Sequence, residues 1–236
     1  VTIETVGIPW ENATAKFNTA AATNTLPDFG HCADTIVTLM LSQNKLVDMT
    51  PYFEAYEGKD DIDEGAITAA QSYDPKKPGM WQAPMFNTVH QIWYRTDWLA
   101  DAGYDEFPKT WDEFFQAVED TTRDGHYGWS FRGGSGNYSL LNYYMLAYTD
   151  NTSFFTEDGT SIFRSEKALE GLTKYIDIFR KGYAPPTSIS NGYTEMIAEM
   201  TTGNAAMAWH HLQSAPLLLE GGLTDEQIGY GFIPEI

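Results

Sequence analysis

Residues 1–8, VTIETVGI, alternate β-branched and polar positions as a half-buried strand does, and Pro9 ends the run. Ala13, Phe17, Ala20 and Ala21 then fall on one helical face. A strand over DFGHCA, a helix over DTIVTLMLSQN and an acidic stretch, EAYEGKDDIDEGAI, come next. This βαβα order predicts an α/β protein with a largely parallel sheet covered by helices.

Farther along, MWQAPMF and HQIWYR are both rich in β-formers. Thr110 and Glu113 of TWDE have the spacing of a capping box, and Trp111, Phe114, Phe115 and Val118 form the buried stripe of the helix that follows, closed by Gly125. YGWSFRGGSGNYSLLNYYMLAY predicts a strand, a glycine-rich turn and a helix. Ser165 caps another helix, with Leu169, Leu172, Ile176 and Phe179 as its core face and Gly182 at its end. A last helix, YTEMIAEMTTG, leads into the strand NAAMAWHH, and IGYGFIPEI is a further strand stopped by Pro234. No repeat, low-complexity tract or Gly/Ser linker occurs. The order predicts two bodies joined by ordered strands, with the aromatic and amide-rich segment around residues 81–95 crossing between them.

The composition narrows the function. The 236 residues can bury a sizeable core, and 42% hydrophobic with 20% charged residues is the balance of a folded soluble protein. No apolar run approaches the roughly 20 residues that span a bilayer. A formal net charge of -19 repels phosphate backbones and anionic lipid, so no nucleic-acid partner is expected and a monomer is. The lone Cys32 allows no intrachain disulfide and excludes a cysteine-rich metal site; its expected role is that of a small buried hydrophobe. The start at VTIETVGIPW carries no signal peptide, which fits a cytoplasmic protein or a segment already trimmed.

Candidate chemistry is sparse. A glycoside hydrolase needs two facing carboxylates, and Asp28, Asp34, Asp60, Asp61 and Asp63 are candidates, but no spacing singles out a pair. His210 and His211 are adjacent on a predicted strand, where neighbours point to opposite faces, so the pair does not suit one metal ion. No nucleophile-elbow, zincin or Walker sequence occurs, and RGGSGN lacks the lysine of a phosphate loop; it suggests a tight turn that lets a ligand approach the backbone. The remaining signal is aromatic. The chain has 7 Trp, 14 Tyr and 13 Phe, clustered in MWQAPMF, IWYRTDW, GNYSLLNYY and MAWHH beside amide, acidic, Arg and His side chains. Such surfaces suit sugars, which present apolar C–H faces with hydroxyl edges.

Four stretches, in order, resemble the family 1 extracellular solute-binding proteins of ABC importers, the group that includes maltose-binding protein. They are VGIPWENATAKFNTAAATNTLPDFGH, LVDMTPYF, WQAPMFNTVHQIWYRTDWLADAGYDEFPKTWDEF and MTTGNAAMAWHH, and the third is the most specific. The resemblance implies two α/β lobes around a cleft, joined by crossing strands. Residues 1–87 would be a partial lobe one, 88–230 lobe two, and 231–236 the strand returning to lobe one. It also implies further segments before Val1 and after Ile236, a location outside the cytoplasm (periplasmic or lipid-anchored), and a membrane permease as partner. No catalysis, metal or cofactor is implied.

Within that frame the expected ligand-binding residues are Trp10, His31 and Asp34 in lobe one and Asn87 and Thr88 at the crossing. Arg132, Tyr138, Asn142, Trp209, His210, His211 and Gln213 complete the set in lobe two. Tyr138 and Asn142 would share a helical face, and Trp209 and His211 a strand face. Asp34 matches a sugar-contacting aspartate of the carbohydrate branch. Thr88 and Gln213 stand where that branch often has an acidic residue and a tryptophan, so the particular sugar does not carry over. The expected ligand is a neutral mono- or oligosaccharide; a polyamine-like or quaternary amine is the rival, since aromatic boxes also bind cations.

Overall fold

The structure, a computed structural model, describes residues 1–86, 88–123, 125–134 and 139–236. The chain separates into two compact units, Val1–Asn87 and Thr88–Ile236.

Among the described residues of the first unit the α-helices are α1 (Trp10–Thr23), α2 (Asp34–Ser42), α3 (Thr50–Glu54) and α4 (Glu64–Gln71). Ala13 and Ala21 of α1 pack with Ile36 and Met40 of α2, and Phe17, Leu26 and Cys32 close over them. Ala13, Phe17 and Ala21 of the face predicted for α1 are therefore among the residues that meet α2. Cys32 is half-buried rather than buried. Asn24 ends α1 in the left-handed region, and Lys45 donates to its side chain at 3.2 Å. The 80s segment is tied down by backbone: Met49 N–H donates to the Met80 carbonyl at 2.7 Å and Trp81 N–H to the Ala70 carbonyl at 3.0 Å.

The strands expected over 1–8, DFGHCA and MWQAPMF are not formed. Alternation specifies which face of a strand is buried, but a strand also needs a neighbour for its N–H and C=O groups. Among the described residues of this unit no neighbouring strand is present, and Val1, Ile3 and Val6 are exposed.

The second unit holds β1 (His90–Arg95), α5 (Thr96–Asp101), α6 (Trp111–Asp120), β2 (Tyr127–Ser130), α7 (Ser139–Tyr148) and α8 (Glu166–Arg180). After these come α9 (Tyr193–Thr201), β3 (Ala205–His211), α10 (Ala215–Glu220) and β4 (Ile228–Gly231). The sheet order is β2-β3-β1-β4. β2 and β3 are parallel, but β1 runs antiparallel to both β3 and β4, so the sheet is mixed and not largely parallel. Near the C-terminus, Glu235 forms a parallel bridge with Thr110 at the start of α6.

The expected capping box starts α6. Thr110 accepts from Glu113 N–H at 3.3 Å, while Glu113 accepts from the Lys109 and Thr110 N–H groups. Trp111, Phe114 and Val118 are buried, joining Trp129 of β2 and Tyr144 of α7 in one core; Phe115 is partly buried. The helix ends at Asp120, and Gly125, at φ +88, serves the turn before β2 instead of closing it. Ser165 caps α8 by accepting from Ala168 N–H at 3.1 Å. Its buried residues are Ala168, Gly171, Tyr175 and Ile178; of the expected face Leu172 and Phe179 pack partly buried against the same core, while Leu169 and Ile176 are exposed, so the face is displaced. Gly171 explains the displacement, because a Cβ there would meet the Tyr148 ring at 2.6 Å, so α7 packs against the small residue.

Candidate functional site

In the second unit the chemistry gathers where β3 ends beside the start of β1. Pairing sets His90 opposite His211 and Ile92 opposite Trp209. Side chains on one face of an antiparallel pair touch directly and diagonally, so His90 meets both His211 and Trp209. Its ring stacks on Trp209 with centroids 5.6 Å apart and meets His211 edge-on at 5.9 Å. Tyr143 of α7 reaches Trp209 at 6.2 Å.

His210 is buried. Its Nδ1 lies 2.9 Å from the Ser214 hydroxyl, which is also 3.2 Å from the Tyr193 hydroxyl. The Tyr193 ring stacks on His210 at 4.1 Å. The Arg132 guanidinium lies over the other partner of that stack, 5.9 Å from the Tyr193 centroid. The rings of His210 and His211 stand only 3.9 Å apart, closer than opposite strand faces would allow. The reason is that β3 stops at His211 and the chain turns into a 3₁₀ turn, Leu212–Ser214, held by Leu212 N–H on the Val89 carbonyl at 3.0 Å.

These imidazoles are held neutral. Burial, then His211, Arg132 and His90, pushes His210 down to about 2. Burial lowers His211 too, with Arg132 adding to it, and burial followed by His211 lowers His90. Neutral imidazole both donates and accepts, which suits hydroxyl groups. The buried Nδ1 of His211 makes no hydrogen bond among the described residues. No group of three or more His, Cys, Asp or Glu residues is arranged to hold a metal ion among the described residues.

The structure thus brings together Arg132, Trp209, His210 and His211. Asn142 is half-buried on α7 beside Tyr143; Thr88 is half-buried, and Gln213 is exposed in the 3₁₀ turn. Asn87 and Tyr138 lie outside the described residues. In the first unit Trp10 meets His31 at 5.3 Å and His31 meets Phe86 edge-on at 5.5 Å. Asp34 accepts from the Tyr73 hydroxyl at 2.6 Å; burial, then Asp34, raises the Tyr73 pKa. Sequence reasoning missed His90, Tyr143 and Tyr193. His90 opens the strand run HQIWYR, so only its position was visible, while its pairing with His211 required the register. The glycine turn also differs from expectation. A Cβ on Gly133 or Gly134 would fall 2.6 Å from the Ser188 carbonyl or 2.2 Å from that of Ser190, so at these two glycines it is the chain's own backbone that approaches.

Solved structures share this fold. An ABC transporter solute-binding protein of Thermotoga lettingae TMO bound with alpha-D-tagatose superposes with a TM-score of 0.81 at 22% identity, covering 96% of this chain and 58% of that one. A sugar transporter protein of Arthrobacter chlorophenolicus A6 with bound laminaribiose gives 0.78 at 21%, covering 95% and 56%. A probable amino-acid ABC transporter periplasmic-binding protein of Sinorhizobium fredii is 23% identical over 133 residues, 56% of this chain and 31% of that protein. The chain spans less than two thirds of the length of each of these proteins. The fold is that of periplasmic solute-binding proteins. The sequence matches the family described as bacterial extracellular solute-binding protein over residues 1–236, and the chain belongs to that family.

Proposed function

We propose that the chain is the binding part of an ABC importer's solute-binding protein, that it acts outside the cytoplasm, and that its ligand is a neutral mono- or oligosaccharide passed to a membrane permease. It binds and does not catalyse. One observation carries the ligand class. The second unit sets Tyr143 and His90 beside Trp209 and Tyr193 beside His210 and His211, so aromatic faces stand next to neutral imidazoles, a combination that meets C–H faces by stacking and hydroxyls by hydrogen bonds. The cation acting on His210 is Arg132, which opposes an ammonium group. That disfavours a polyamine, a quaternary amine or the amino group of an amino acid. Structural neighbours holding tagatose and laminaribiose agree with the sugar reading.

The test is a thermal-shift and calorimetric screen of the full-length protein against D-tagatose, laminaribiose, maltose, spermidine, choline and the common amino acids. A ligand at a hundredfold excess over its Kd stabilises the native state by about 2.7 kcal/mol. A shift with a sugar and none with the amines is expected. Stabilisation by spermidine, choline or an amino acid alone would overturn the ligand class, and cleavage of laminaribiose or maltose would overturn the non-catalytic role.

A further inference from the structure

Glu199 of α9 is a buried carboxylate whose oxygens accept from side chains on separate segments. The Ser130 hydroxyl at the end of β2 donates to Oε2; Thr187 Oγ1 donates to Oε1 at 2.9 Å and Asn191 Nδ2 at 2.6 Å. Removing a carboxylate from water is costly, and charge-assisted hydrogen bonds from neutral donors offset that without a cation. The arrangement clamps the 187–191 turn against the end of β2.

The turn in turn holds the residues that follow β2. Phe131 N–H donates to Ser188 Oγ at 3.2 Å, Gly133 N–H to the Ser188 carbonyl at 2.9 Å and Gly134 N–H to the Asn191 carbonyl at 3.0 Å. Between these anchors stands Arg132, whose guanidinium lies over Tyr193, the first residue of the helix that also bears Glu199. We propose that Glu199 is a positioning residue of the ligand surface: by gathering Ser130, Thr187 and Asn191 it fixes the Phe131–Gly134 segment and so sets Arg132 against the Tyr193–His210 stack. Its importance for binding rests on the solute-binding reading above, whereas the chain of contacts stands without it.

The experiment needs no ligand. Amide exchange at Phe131, Gly133 and Gly134 and the NMR titration of His211 are followed in the full chain for wild type, Glu199→Gln, Arg132→Gln and the double variant. An amide in place of the carboxylate turns an N–H donor toward donors already present, so the clamp opens. Exchange at Gly133 and Gly134 should accelerate about tenfold or more while the thermal transition stays cooperative. The His211 midpoint should rise in both Glu199→Gln and Arg132→Gln, and the double variant should match Arg132→Gln, because releasing the segment displaces the Arg132 charge that Arg132→Gln deletes, and with that charge gone nothing is left for the release to move. A general loss of stability would not produce that non-additivity. Folded Glu199→Gln with unchanged exchange and an unchanged His211 titration would overturn the proposal. Should Glu199→Gln fail to fold, Thr187→Val deletes one donor and should accelerate the same amides to a smaller extent; unaltered exchange there overturns it equally. A negative sugar screen would sink the ligand reading while leaving these readouts standing.

Discussion

His210 and Tyr193 stack almost parallel, 18° between planes, and both reach the hydroxyl of Ser214. The contact seals the imidazole from water, and a buried ring flanked by Arg132 and two other imidazoles resists protonation, which pushes it down to about 2. An unfolded histidine titrates near 6.5, so below that pH the unfolded state takes up a proton that the native state refuses. The stability contributed is present above about pH 6.5 and is lost as the pH falls. Urea unfolding at pH 7.5, 6.5, 5.5 and 5.0 should show the unfolding free energy dropping with a slope approaching about 1.4 kcal/mol per pH unit from this residue. His90 and His211, also lowered, add slope of the same sign. His210→Asn, which keeps a polar group near the Nδ1 position, should flatten the dependence. An identical slope in that variant would show that His210 is not the group responsible.

What the sequence revealed divides along a physical line. The start of α6, the Ser165 cap, β3 and β4 were legible because their signals are local: Thr110 and Glu113 satisfy each other within one turn, and AAMAW is an unbroken apolar run. Residues 1–8 alternate just as clearly yet form no strand, since pairing depends on a neighbour elsewhere. The face of α8 was legible in part: Leu172 and Phe179 pack on the core, but Leu169 and Ile176 are exposed, because periodicity gives a glycine no weight while in packing Gly171 admits the Tyr148 ring. In the site, Trp209 and the two histidines stood out as residue types. His90 and Tyr143 did not, because their role comes from register with His211 and from the approach of α7 to Trp209.

Tyr143 and Trp209 should separate binding from stability. Trp209 is buried in the main core, so Trp209→Ala is expected to cost about 3–5 kcal/mol, read as a lower urea midpoint. Tyr143 is 47% exposed and lies at the rim of the same aromatic surface. Tyr143→Ala should leave the midpoint nearly unchanged and weaken the sugar identified in the screen about tenfold in calorimetry, the value of one lost stacking contact. Full affinity in a folded Tyr143→Ala protein would remove this ring from the binding surface.

Gly128 gives a sharper test of how the second unit is assembled. It sits in β2 directly beneath the end of α6, where a Cβ would fall 1.9 Å from the Val118 carbonyl oxygen and 2.7 Å from its carbon. The neighbour is helix backbone, which cannot swing aside as a side chain can. It is held there by Thr122, whose hydroxyl donates to the same carbonyl at 2.8 Å and accepts from Gly128 N–H at 2.9 Å. Gly128→Ala must therefore pry α6 from the sheet, and a loss of about 3 kcal/mol, or failure to fold, is expected. Gly103→Ala is the matched comparison: at φ +94 it strains the backbone, but the new methyl meets nothing within 4 Å, so about 1–2 kcal/mol is expected. Equal losses for the two variants in urea unfolding would mean that α6 yields readily, and that the close approach of helix and strand is not what requires glycine at position 128.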